Sequence, residues 1–480
     1  MKHFHIPILQ KLIAFQAQNP ISFHVPGHKN GALFPDEARP FFESILPLDL
    51  TELPGLDDLH APREMIREAE ELAATFFETQ YTFFLVGGST AGNLAMLLAT
   101  CSSNDDVIVQ RNCHKSIMNG LELAGARPVF IAPEYDEEEQ RYLAPSENTL
   151  EQALRQYPSA KAVVLTYPDY FGKTFNIKEM IDLSHAYHIP VLVDEAHGVH
   201  FSIKDRHIPD SSLTMGADVV VQSAHKMAPA MTMASYLHFQ SSLIQKERVS
   251  HYLQMVQSSS PSYPLLASLD IARAFLQSLS EADVQAIVES ARTLRRKFSM
   301  LTCSTVRNPG KFDDPLKITL HMKEGYSGKE IAALFENEGV YPELATETHV
   351  LFIHGLKPFT QMEEMDRVIK NVQEKLKSMP YHAIIDIEDI LIQPIGELEL
   401  SYAEMRRMPV KHVSYDQAEG YVAAEAVIPY PPGIPILLRG ERMTKRHLQQ
   451  MKQFLENGIS IQTRNQTNMI SVFEEGIEDT

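Results

Sequence analysis

Pro190-Val191-Leu192-Val193-Asp194-Glu195-Ala196-His197-Gly198 and Ala217-Asp218-Val219-Val220-Val221-Gln222-Ser223-Ala224-His225-Lys226 are the stretches that decide the fold. Each begins as a short aliphatic run and ends at a charged group, Asp194 in the first and Lys226, 32 residues later, in the second. Apolar runs without alternation belong to strands buried on both faces of a sheet. A lysine that can form a Schiff base and a carboxylate that can keep a heterocyclic nitrogen protonated, both at strand ends, are the minimum apparatus for holding pyridoxal phosphate (PLP).

The same pattern extends outward on both sides. Residues 81–86, 107–109, 128–131, 162–166, 191–193 and 219–221 read as strands, and 63–77, 91–100, 116–124 and 177–188 as helices between them. In 63–77, Met65, Ile66, Ala69, Leu72, Ala73 and Phe76 share a face, and Asn176 with Glu179 makes a capping signal for 177–188. Strands alternating with helices imply an α/β fold with a mostly parallel sheet. Beyond Pro264 a long helical stretch runs to about Phe298. A compact α+β unit follows: strand 317–322, helix 328–338 with Ser327 and Glu330 as capping box and Gly339 as stop, strand 350–354, and helix 361–378. On that last helix Met362, Met365, Val368, Ile369, Val372 and Leu376 form one stripe, and Pro380 closes it. Residues 1–60 are punctuated by Pro20, Pro26-Gly27, Asn30-Gly31, Pro35, Pro40, Pro47 and Pro54-Gly55, the pattern of an extended arm with short helices. The expected organisation is an arm (1–62), a PLP-binding large domain (63–298), a small α+β domain (299–380) and a C-terminal domain (381–480).

The composition sets limits. With 480 residues, 44 % of them hydrophobic and 22 % charged, the chain is globular and built of several domains. No apolar run approaches the roughly 18 residues of a membrane span. Met1-Lys2-His3-Phe4-His5-Ile6-Pro7 has neither a long apolar core nor a cleavage site, so the cytoplasm is the expected location. A net charge of −19 argues against a nucleic-acid surface. Cys101, Cys113 and Cys303 make no CxxC pair and read as free thiols. His197 and His200 are spaced i, i+3, as are His185 and His188, but neither pair comes with a third ligand, so no metal site is expected.

Gly87-Gly88-Ser89-Thr90-Ala91-Gly92-Asn93 follows a strand and opens a helix. Two readings fit it: a phosphate site built from helix N–H groups and two hydroxyls, or a tight turn with ordinary Ser/Thr capping. It is not a Walker loop, because no GxxxxGK[ST] occurs in the chain. Asp194-Glu195-Ala196-His197 also spells a helicase box, a reading that needs the missing Walker loop and a basic surface. Lys226 alone reads equally as a solvated loop lysine. Its weight comes from the order in which phosphate turn, strand-end aspartate and strand-end lysine follow one another. His114, in Arg111-Asn112-Cys113-His114-Lys115-Ser116, reads either as structural or as a residue stacking on a flat cofactor.

Taken together these motifs resemble the PLP-dependent ornithine/lysine/arginine decarboxylases of the aspartate-aminotransferase fold (fold type I), in the short bacterial form without an N-terminal wing domain. The likeness includes Val25-Pro26-Gly27-His28-Lys29, Glu52-Leu53-Pro54-Gly55-Leu56-Asp57-Asp58-Leu59-His60, and the turn, histidine, aspartate and lysine motifs above. It ends on Tyr430-Pro431-Pro432-Gly433-Ile434-Pro435, typical of the family's C-terminal decarboxylase domain. The resemblance implies that Lys226 carries the cofactor as a Schiff base and that Asp194 pairs with the pyridinium. It implies that Ser89, Thr90, Ser223 and His225 hold the phosphate, that His114 stacks on the ring, and that His197 reaches the phenolic oxygen. It extends to a phosphate contact from Ser258-Ser259-Ser260-Pro261-Ser262-Tyr263 across a dimer interface. Many long forms have tryptophan where this chain has His197, so substrate preference does not carry over. The implied activity is decarboxylation of arginine, lysine or ornithine to an amine in polyamine metabolism, by a homodimer or larger homo-oligomer with active sites at the interface. An aminotransferase or C–S lyase on the same fold, or a non-catalytic regulatory homologue, are the rivals. Asp57, Asp58 and Glu343 are the candidate acids for the substrate's distal cation, and each also reads as a solvated or loop-capping acid.

Overall fold

The computed structural model describes residues 5–377, 393–430, 435–456, 460–462 and 469–474. The aliphatic runs form one sheet from β1 (Tyr81–Leu85), β2 (Asp106–Gln110), β3 (Arg127–Ile131), β4 (Ala162–Thr166), β5 (Val191–Asp194), β6 (Val219–Gln222) and β7 (Ser235–Phe239). Their spatial order is β1-β7-β6-β5-β4-β2-β3, and Ile395–Glu397 adds an eighth strand beside β3. The five strands from β6 to β3 are mutually parallel, while β7 runs against both its neighbours. Successive residues feed opposite cores: Ile108, Val163, Val193 and Val220 go to one side, Val107, Val164, Leu192 and Val221 to the other. Each such side chain contributes about 1.5–3 kcal/mol on burial, which is why the strands show no polar alternation.

Strand β7 departs from that pattern and escapes a hydropathy reading. Ser235 and His238 are fully buried in it. His238 bonds to Thr82 Oγ1 (2.9 Å) and Gln222 Oε1 (3.1 Å), so its polar cost is met by hydrogen bonds invisible in the sequence. The stretch to Phe298 is two helices, Tyr263–Ser278 and Glu281–Phe298, divided where Ser280 and Asp283 form a capping box. Two expected caps are not formed. Asn176 donates to the Glu179 carboxylate (2.8 Å) and caps no backbone group, and Ser327 donates to Glu347 (2.5 Å).

The arm begins with a helix, Pro7–Gln16, whose Ile8 and Leu12 enter the main core. It is fastened by buried polar groups: Asp270 accepts from Ile8 N (3.2 Å), and Arg273 donates to Asp270 (2.5 Å) and to the His5 carbonyl (2.6 Å). Beyond it the arm leaves Ile21, Phe23, Leu33 and Phe41 exposed, Phe23 at 94 %.

The small domain is an antiparallel sheet of β8 (Ser304–Val306), β9 (Lys317–Met322), β10 (Leu344–Ala345) and β11 (His349–Ile353), in the order β8-β9-β11-β10. Its core takes Ile318, Leu320, Phe335, Val350 and the stripe Met365, Val368, Ile369, Val372 and Leu376. The helix Glu281–Phe298 serves both cores, with Ile287 and Ala291 in the large domain and Leu294 and Phe298 in the small one. A buried pair, His200 Nε2 to Asp314 Oδ2 at 3.1 Å, also joins them. The C-terminal segment has a core of its own, including Val427, Leu437, Met451 and Val472, and is tied to the large domain by Arg111 and Glu441 at 2.5 and 2.8 Å. Pro380 and the segment Pro431 to Ile434 of the family motif lie outside the described residues. Among the described residues no helix is long and apolar enough to cross a membrane.

Candidate active site

The parallel register sets Asp194 beside Val221, so Asp194 and Ser223 emerge side by side at the carboxyl edge of the sheet. Asp194 is buried and held from two sides: Asn93 Nδ2 donates to Oδ2 (2.9 Å) and Ala196 N to Oδ1 (3.2 Å). The same Asn93 amide donates to Ser116 Oγ (2.9 Å), and Ser116 binds His114 Nδ1 through both its hydroxyl (2.8 Å) and its N–H (3.2 Å). Both bonds make Nδ1 an acceptor, which leaves the proton of a neutral His114 on Nε2. Burial pushes the Asp194 carboxyl up, while Lys226, the Asn93 donor and His114 pull it back. A cation seated at the open edge would favour the carboxylate further.

Lys226 lies in the short helix Ala224–Met227 directly after β6. Its Nζ is 3.0 Å from His197 Nε2 and 5.8 Å from the centre of the Tyr170 ring. Burial pushes this amine down, against the attraction of Asp194 and Glu343. A lysine so shifted keeps more of its neutral, nucleophilic form near neutral pH. His197 is buried between two lysines, with Lys317 Nζ 3.2 Å from its Nδ1 and Tyr170 edge-on at 4.4 Å. Its pKa falls well below the ordinary value, through burial first and then the two lysine charges.

The phosphate candidates lie at the same edge. Gly92 presses the helix Gly88–Thr100 onto β6, where a Cβ would come within 2.9 Å of Val221. Gly88, at φ +74°, opens that helix against Met233, just before β7. Ser89 and Thr90 thus occupy a first turn whose N–H groups have no intrahelical partner and whose N-cap, Gly87, offers no side chain. Ser223 Oγ is fully buried with no hydrogen-bond partner among the described residues. His225 is partly buried beside it, and burial pushes its imidazole down. A buried orphan hydroxyl, an uncapped helix start and a clamped carboxylate form a donor and acceptor set that fits PLP.

Glu195 of the helicase-like string is consumed by structure. Its carboxylate accepts from Ser211 (2.7 Å), Ser212 N (2.8 Å) and Gln222 (2.8 Å), and burial raises it to about 7. Two of the other histidines lie against carboxylates: His200 pairs with Asp314 and His185 with Asp218. Among the substrate acids, Asp57 accepts from the N–H groups of Arg63, Glu64 and Ile66 and so caps the helix Met65–Phe77. Asp58 accepts from His60 N at 2.8 Å. Glu343 alone of the three faces the site, taking the Tyr170 hydroxyl at 2.5 Å and acting on the charges of Lys226 and Lys317. Of the serine run, Ser262 caps the helix Tyr263–Ser278 and the Ser258 carbonyl bonds His60 (2.9 Å).

Sequence reasoning missed Asn93, Ser116, Tyr170 and Lys317. The first two lie within the quoted motifs, so their signal was present but unassigned. Lys317 offered only a weak one, a charge opening a strand whose other residues are Ile318, Thr319, Leu320, His321 and Met322.

Residues 6–311 match the family described as "Orn/Lys/Arg decarboxylase, major domain", and 389–464 its C-terminal domain. An uncharacterized protein, YaaO, of Bacillus subtilis is 43 % identical over 96 % of both chains. An arginine decarboxylase of the same organism is 32 % identical over 99 % of both. The solved constitutive lysine decarboxylase of Escherichia coli superposes with a TM-score of 0.79 at 19 % identity, covering 98 % of this chain and 82 % of its own.

Proposed function

Because the chain belongs to the Orn/Lys/Arg decarboxylase family, we propose that it removes the α-carboxylate of a basic amino acid, arginine foremost, releasing CO2 and the corresponding amine. The observation that carries this is the pairing at one sheet edge of a Lys226 amine bonded to His197 with an Asp194 carboxylate clamped by Asn93. PLP, the family's cofactor, supplies when bound an electron sink for the pair left by the broken Cα–carboxylate bond.

The chain's own residues have the remaining tasks. Asp194 would face the ring nitrogen and keep its proton in place. Ser89, Thr90, Ser223, His225 and the helix start at Gly88 would hold the phosphate. His114, fixed by Ser116, would lie against the ring and shield it from water. Lys226 would hold the cofactor covalently, and with His197 it would carry the proton that the product takes up. Glu343, bonded by the Tyr170 hydroxyl, would receive the substrate's distal cation, and a guanidinium can take both carboxylate oxygens. Arginine is preferred because the relatives that share 31–33 % identity over most of the chain are named arginine decarboxylases. Its product would enter polyamine synthesis.

The exposed apolar arm supports a homodimer, since isolated monomers rarely display so many neighbouring aromatic and aliphatic side chains. The activity is tested by measuring CO2 release from arginine, lysine and ornithine with added cofactor. Stoichiometric CO2 and amine from one of them supports the reading, whereas keto-acid formation without CO2 would make the chain an aminotransferase.

A further inference from the structure

Lys317 reaches the site from another domain, and neither the motifs nor the proposed chemistry gives it a task. It opens β9, is 4 % exposed, and has its carbonyl bonded to Arg295 (2.6 Å). Its stem lies against Gly172, where any Cβ would come within 2.5 Å of the lysine's Cγ. The amine therefore has a fixed approach, ending on His197 Nδ1 (3.2 Å) and Met227 Sδ (3.6 Å). His197 Nε2 meets Lys226 Nζ at 3.0 Å. The imidazole is thus a bridge between two buried amines from different domains.

A neutral imidazole has one N–H and one lone pair. An ammonium on Lys317 can only donate, so it claims the Nδ1 lone pair and places the histidine proton on Nε2. That proton then points at Lys226, which must accept it and so must be a free amine. We infer that Lys317 is a positioning residue which, through the tautomer of His197, holds Lys226 as the neutral nucleophile. The inference rests on the reading that Lys226 is the amine that takes the cofactor.

The reverse state is available by moving one proton at each junction. Lys317 gives a proton to Nδ1, Nε2 gives its own to Lys226, and the total charge is unchanged. Lys226 is then the ammonium, Lys317 the free amine, and the imidazole the other tautomer. The surroundings suit such sharing. Lys226 is faced by Asp194, Glu343 and His114; Lys317 by Asp314, Asp169 and Glu343; His197 also by His200 and His225. Burial brings Lys317 down to about 8, so both of its forms are within reach near neutral pH.

The test reads ionisation in the cofactor-free protein. Trace acetylation with acetic anhydride across pH 6–10, with peptide mass spectrometry, gives the apparent pKa of each lysine. Lys317→Met should raise the Lys226 value by about one unit, lowering its labelling near pH 8 about tenfold. Lys317→Arg, which keeps the cation, should stay near the parent. In a His197→Phe background Lys317→Met should change nothing further. An unchanged Lys226 curve in Lys317→Met, with only thermal stability reduced, would make Lys317 an interdomain filler and overturn the inference. If Lys317→Met does not fold, the parent protein decides: Lys226 titrating like a free lysine, at about 10.4, overturns it too. Borohydride trapping of PLP in the parent is a separate arm; trapping on a lysine other than Lys226 would refute the cofactor reading while leaving the labelling result interpretable.

Discussion

Asn93 shows how little of the site a single residue type reveals. Its amide joins Asp194 to Ser116, and through Ser116 to His114, so one side chain orients a charge and a ring together. Asn93→Leu keeps the volume and removes the donor. A hydrogen bond to a charged group contributes about 1.5 kcal/mol or more, so cofactor affinity should fall at least about tenfold in a PLP titration. Unchanged affinity would leave Asn93 a packing residue. Glu343 makes a different prediction, because it faces Lys226 and Tyr170 without touching Asp194. Glu343→Gln should raise KM for the basic amino acid about tenfold while kcat stays within a few-fold. A fall in kcat at constant KM would move Glu343 from substrate binding to the chemistry itself.

At the scale of elements, legibility followed the source of stabilisation. The strands ending in Asp194 and Gln222 were readable because burial on both faces leaves a continuous aliphatic signature. Ser235–Phe239 was not, because Thr82 and Gln222 satisfy its buried His238 from neighbouring strands. Local capping signals misled in the same way: Ser327 spends its hydroxyl on Glu347, a partner set by the fold. In the site, the strand-end charges were legible and the partners that tune them were not, since Lys317 comes from a separate sheet. The joint between these sheets carries its own prediction. Burial works to raise Asp314, but its pairing with His200 outweighs it, with help from Lys317, and holds the carboxyl below its ordinary value. A depressed carboxyl contributes stability that is complete above its unfolded value, about 3.9, and is lost as pH falls through the folded value. Asp314→Asn should therefore lower unfolding free energy by about 3 kcal/mol at pH 7. That deficit should shrink as pH drops below about 3.9; a gap independent of pH would contradict the pairing.

The whole molecule places its chemistry where its parts meet. The large domain supplies Asp194, Lys226 and His197, the small domain Lys317 and Glu343, and the C-terminal segment grips Arg111 three residues before His114. The arm adds a helix locked by Asp270 and Arg273, then a run of exposed apolar residues. If that run is the seat of a second copy, the double variant Phe23→Asp, Phe41→Asp should halve the mass seen by light scattering and reduce turnover. A parent chain that is monomeric at micromolar concentration would contradict the dimer.

The central claim, that Lys226 and Asp194 serve decarboxylation of a basic amino acid, is tested most directly by CO2 release from carboxyl-labelled arginine, with lysine and ornithine in parallel, for the parent and Lys226→Ala. The parent with PLP should release one CO2 per amine formed, and Lys226→Ala should fall to background. No CO2 from any of the three with cofactor bound, or undiminished release by Lys226→Ala, would contradict it.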